Sequence, residues 1–127
     1  MFKREPEINM EFKLSKTVEQ KDTATAYGSG GVDVFATPAM ISLMENTALQ
    51  IDQMLSPGYK TVGTEVCVKH IKATPVGDTV TCVARLVKAE GPKLTFEVEA
   101  FDSKGKIGFG THKRYVVRLE DFLKNLG

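Results

Sequence analysis

The chain of 127 residues has no tryptophan, and cysteine (2), histidine (2) and proline (5) are scarce. The cysteines and histidines show no metal-ligand spacing, and no cofactor is implied. A dominant charge is also missing: 17 basic residues face 16 acidic ones, for a net +1. No global field favours nucleic acid or an anionic membrane, so anion binding falls to a local cluster. No apolar run reaches the roughly 18 residues of a membrane span, and the opening "MFKREPEINMEFK" resembles neither a signal peptide nor an anchor. A cytoplasmic protein without a disulfide is expected, with Cys67 and Cys82 as two buried thiols in strand-like runs.

Hydrophobic residues at 42% and charged residues at 26% suit a globular chain, and the length suits one domain over residues 1–127. The first dozen residues are polar and read as frayed or edge-lying. Met10, Phe12 and Leu14 alternate with Glu11, Lys13 and Ser15, which predicts a first strand within residues 10–20. The glycine-rich "YGSGG" follows as a loop. "ATPAMISLMENTALQIDQMLSPG" predicts one long helix. Met40, Met44, Ala48, Ile51 and Leu55 form its apolar stripe, Thr37 suits the N-cap, and Ser56-Pro57-Gly58 ends it. Strand-like runs follow at about 62–73, 78–90, 93–102 and 106–119. The short breaks between them favour antiparallel neighbours, including a hairpin turning at residues 75–78. "LEDFLKNL" predicts a short closing helix. One strand, a helix and four strands predict an α+β fold: a five-stranded antiparallel sheet wrapped around the helix. The sheet edge left over predicts a homodimer or a dimer of dimers.

Four places break the apolar pattern. Glu45 has Ile41, Met44, Ala48 and Leu49 as its helical neighbours. A carboxylate there is either a rim residue with its head in water or a partly desolvated acid/base. His70 shares a strand face with Val66 and Val68, as a packed histidine or as the partner of Glu45. Thr37 is either the helix cap, worth about 1 kcal/mol, or a reacting hydroxyl that needs a base. It stands eight residues from Glu45, roughly 12 Å along a helix axis, so contact within one helix is not expected. In "GFGTHKRYVVRL", Gly108 and Gly110 leave room for an approach to the backbone, and His112, Lys113 and Arg114 cluster as a solvated strand end or an anion clamp.

These residues lie in motifs with a family likeness. "VFATPAMISLMENTA", "GTEVCVKHIKATPVGDTV" and "IGFGTHKRYVV" closely resemble the fluoroacetyl-CoA thioesterase family of hotdog-fold enzymes, over residues 10 to 122. The resemblance implies a catalytic threonine, glutamate and histidine at Thr37, Glu45 and His70, and substrate contacts at Gly63 and Arg114. It implies an acyl-CoA substrate, hydrolysed to free acid and CoA. The fluoroacetyl enzyme carries a phenylalanine-bearing lid where this chain reads "YGSGGVD", which implies another small acyl group. Two rivals share the fold. Hotdog hydratases carry an Asp-x4-His pair or a His-Phe-Pro loop, yet here Asp33 is followed five later by Pro38 and Asp52 by Pro57. A non-catalytic acyl-CoA-binding protein would carry the same binding residues.

Overall fold

The computed structural model describes residues 1–127. Strand β1 (Glu11–Thr17) leads through a 3-10 turn at Gln20–Asp22 and a one-turn helix α1 (Ala24–Tyr27) to the main helix α2 (Thr37–Ala48). A 3-10 helix, Leu49–Met54, continues α2. Strands β2 (Tyr59–His70), β3 (Thr79–Glu90), β4 (Lys93–Asp102) and β5 (Gly105–Arg118) follow, then helix α3 (Leu119–Lys124). All five strands form one antiparallel sheet in the order β1-β3-β4-β5-β2, with α2 packed on its inner face.

The stripe predicted for the helix is the core. Met40, Met44, Ala48, Ile51 and Leu55 are all buried, as are Leu94, Phe96, Val98 and Ala100 of β4. The long helix is shorter than its pattern, because the chain tightens to 3-10 geometry after Ala48. Spacing of three at Ala48–Ile51 suits that tighter winding, so the apolar stripe carries on unbroken.

The hairpin expected at residues 75–78 does not form. β2 pairs with β5 at the far edge, and β3 lies beside β1 and β4. The turn instead docks on the end of β1: Gly77 N–H donates to Val18 O, Val18 N–H donates to Asp78 O, and Pro75 bridges to Val34. The segment after His70 is therefore a crossover. Asp102, buried at the β4–β5 turn, pins it by accepting from Lys72 Nζ at 2.5 Å and Thr74 Oγ1 at 2.8 Å. Burial opposes ionisation of Asp102, but these donors, the Lys104 N–H and the Lys72 charge bring its pKa down to about 2.

Other expectations are corrected too. Cys67 is exposed on the edge strand and pairs in register with Thr111; only Cys82 is buried, where desolvation pushes its thiol up to about 11. The first residues are tied down, with Phe2 bridging Leu55 and Lys3 N–H donating to Met54 O. The room left by Gly108 and Gly110 is filled by the protein. A β-carbon at 108 would lie 2.4 Å from Met40 Sδ, and one at 110 would lie 2.1 Å from the Cys67 carbonyl oxygen. No helix is long and apolar enough to cross a membrane.

Candidate active site

Thr37 opens α2 but does not cap it. The N-cap is Ala36, which has no side-chain acceptor, and Pro38 sits in the first turn. The Thr37 hydroxyl turns away to His70, with Oγ1 2.8 Å from Nδ1. His70 Nε2 is sealed from solvent without a well-formed hydrogen bond. Burial lowers the His70 pKa, partly offset by the backbone carbonyl of Lys72, so the ring is neutral near pH 7. With the ring proton on Nε2, Nδ1 is the acceptor for the Thr37 O–H.

The pair borders a cavity of about 350 Å³ whose wall includes Ala24, Ser29, Val34, Ile71 and Lys72. The lid is thus α1 and the glycine-rich loop behind it, closed by Gly28 at φ 72°, a left-handed position that glycine holds without strain. Within the first turn of α2, Met40 N–H bonds Ala36 O and Pro38 has no N–H, while Thr37 and Ala39 N–H donate to no backbone or side-chain acceptor.

Glu45 lies just over two turns further along α2 and makes no hydrogen bond to His70. Its half-buried carboxylate stands over Gly63 of β2. A β-carbon at position 63 would lie 2.8 Å from Glu45 Oε2, 3.3 Å from His112 Cε1 and 3.4 Å from Arg114 Nη1. A side chain here would have to displace the Glu45 carboxylate. The site residues fall into two groups: Thr37 with His70, and Glu45 with Gly63 and Arg114.

The expected cluster of His112, Lys113 and Arg114 splits across the sheet. Lys113 faces out and pairs with Glu65 at 3.6 Å. His112 and Arg114 face α2, 1% and 7% exposed. Three of the five guanidinium N–H groups are turned to protein partners. Arg114 Nε donates to Thr61 Oγ1 at 2.8 Å, Nη2 to Thr61 O at 3.2 Å, and Nη1 to His112 Nε2 at 3.1 Å. Burial works against its charge, and the carboxylates of Asp52 and Glu45 partly offset that cost. The alternation His112, Arg114, Val116 is the signal in the sequence that places both polar residues on the core side.

The profile of the fluoroacetyl-CoA-specific thioesterase family matches residues 18–120. The fluoroacetyl-CoA thioesterase of Streptantibioticus cattleyicolor is 45% identical over 91 residues, covering 71% of this chain and 66% of that protein, just under two thirds of its length. A crystal structure of a fluoroacetyl-CoA thioesterase superposes with a TM-score of 0.90 at 35% identity, covering 97% of this chain and 96% of that one. A hotdog-like protein from Thermanaerovibrio acidaminovorans superposes with a TM-score of 0.87 at 25% identity, covering 94% and 89%. With its five-stranded antiparallel sheet around a central helix, the chain belongs to the fluoroacetyl-CoA-specific thioesterase family of hotdog-fold hydrolases.

Proposed function

We propose that this protein hydrolyses a small acyl-CoA thioester to the free acid and CoA, using Thr37, Glu45 and His70, with Gly63 and Arg114 bounding the reacting end of the substrate. The observation that carries this reading is the Thr37 hydroxyl, released from capping and held 2.8 Å from His70 Nδ1 at the mouth of a small cavity. A neutral His70 is a competent base toward that hydroxyl or toward a water beside it. Attack of the Thr37 oxygen on the acyl carbon breaks the C–S bond, the proton taken up by His70 passes to the departing CoA thiolate, and water then cleaves the Thr37 ester to release the free acid; direct attack by water gives the acid in one step. The unpaired Thr37 and Ala39 N–H groups are placed to hold the oxyanion. Glu45 serves as the second acid/base, over Gly63. The lid, small-chained at Ala24 and Ser29, carries no bulky ring that would select a fluorinated acyl group.

The two groups of residues meet across a homodimer in this reading. Within one chain, eight helical residues separate Thr37 from Glu45, roughly 12 Å. β2, which carries both Gly63 and His70, is a sheet edge with one side unpaired. The test is an assay of CoA release from acyl-CoA esters of two to eight carbons, with Thr37→Ala and Glu45→Gln measured singly and as a refolded mixture. If the residues act from different subunits, the mixture recovers about a quarter of the wild-type rate by statistical pairing. A wild-type protein that releases no CoA from any ester defeats the hydrolase reading, and a mixture as inactive as its parents defeats the shared site.

A further inference from the structure

The polar network beneath Gly63 has only one possible direction of hydrogen bonding. Arginine donates and never accepts. Thr61 Oγ1, receiving Arg114 Nε–H, must therefore send its own proton to Asp52 Oδ1, 2.5 Å away, while Thr61 N–H donates to Asp52 Oδ2 at 3.2 Å. His112 Nε2, receiving Arg114 Nη1–H, must be unprotonated, so the ring proton is on Nδ1 and donates to Glu65 O at 2.9 Å. The chain of donors thus runs outward from Arg114 in both directions, ending on a carboxylate and a backbone carbonyl. Three of the five guanidinium N–H bonds are used, and the nitrogen Nη1 that faces the Gly63 space keeps one free.

We propose that Asp52 and Thr61 are positioning residues of the thioester site: Thr61 couples Arg114 to Asp52, and this grip fixes the His112 tautomer and aims a free Arg114 N–H into the space shared by Glu45 and Gly63. The local fold explains the placement. Asp52 lies in the 3-10 continuation of α2, whose tighter winding faces it to Thr61 at the start of β2. A buried guanidinium needs this support, since unpaired it would be costly in the core and free to rotate away from Glu45. The role as part of a thioester site rests on the hydrolysis reading above; the effect on Arg114 and His112 does not.

Two variants weaken the coupling with little change of shape, Thr61→Val by removing the hydroxyl and Asp52→Asn by removing the charge that hydroxyl donates to, and Thr61→Ser keeps it. Long-range nitrogen–proton NMR of labelled protein reads the tautomer directly, and His70 and His112 are the only histidines to assign. The wild type and Thr61→Ser are expected to hold His112 wholly as the Nδ1–H form, while Thr61→Val and Asp52→Asn admit the Nε2–H form. In the acyl-CoA assay the same two variants are expected to lower kcat at least about tenfold with KM within about twofold, and Thr61→Ser to restore it. An unaltered tautomer and kcat in folded Thr61→Val and Asp52→Asn, even with a lower melting temperature, would overturn the proposal. So would the Nε2–H form in the wild type. Should the wild type lack hydrolase activity, the tautomer arm still decides whether Asp52 and Thr61 orient Arg114.

Discussion

Thr37 Oγ1 lies 2.8 Å from His70 Nδ1, although the two residues are thirty-three positions apart and threonine at a helix start ordinarily bonds the helix itself. The hydroxyl has thus given up a structural task for a contact with an imidazole. Thr37→Ala is expected to change stability by less than about 0.5 kcal/mol, against about 1 kcal/mol for the loss of a true cap. Its kcat on short acyl-CoA esters is expected to fall at least about a hundredfold. Urea melts and steady-state assays of the same preparation check both parts, and a stability loss without an activity loss would return Thr37 to a capping role.

Gly63→Ala sets a methyl group 2.8 Å from Glu45 Oε2. The carboxylate must move, so kcat is expected to fall at least about tenfold. Removing the carboxylate removes the conflict. In a Glu45→Ala background the stability cost of Gly63→Ala should shrink, giving a coupling of about 1 kcal/mol or more in a double-mutant cycle by chemical denaturation.

Gly110→Ala acts on the fold. Its methyl would lie 2.1 Å from the Cys67 carbonyl oxygen and 2.6 Å from Val68 Cα, so strands β2 and β5 must separate. A loss of more than about 3 kcal/mol is expected, read as a collapsed melting temperature or insoluble expression. Activity would vanish with it, since β2 carries Gly63 and His70.

Acid should weaken the fold in a window set by the two histidines. Burial lowers the pKa of His70, and burial aided by the Arg114 charge lowers that of His112. Their unfolded values lie near 6.5. Below that pH the unfolded chain binds more protons than the folded one, so stability is complete above 6.5 and is lost as pH falls through the lower folded values. Asp102 acts elsewhere: its contribution is lost only as pH drops from the usual 3.8 toward about 2. Urea midpoints should hold from pH 7.5 to about pH 6.5 and fall from there toward pH 5, and His70→Gln should remove roughly half of that slope. A flat profile would mean that neither ring is held neutral by the fold.

Much of this layout is legible in the residues. Alternation in Leu94, Phe96, Val98 and Ala100 names an inward face, and the stripe from Met40 to Leu55 names what covers it. The partner of β2 is not legible, because alternation tells which face a strand buries and not which strand lies beside it. The short segment after His70 reads as a turn, yet its groups bond to Val18, Val34 and Asp102, which no local pattern announces. Asp52 and Thr61 escape for another reason. Charged residues are ordinarily solvated, and only the three-dimensional network shows a guanidinium satisfied in the core.

Strand β2 carries one extra residue, Thr64, where its register against β5 shifts between Gly63 and Glu65. Without the extra residue, an odd-numbered and an even-numbered position could not face the helix from one strand; with it, Thr61 and Gly63 look inward together with Val66, Val68 and His70. Deleting Thr64 would remove that extra residue and restore regular pairing, with Gly63 and His70 both still on the inner face. The bulge at Thr64 is therefore a one-residue insertion that the strand absorbs without turning any inward residue out.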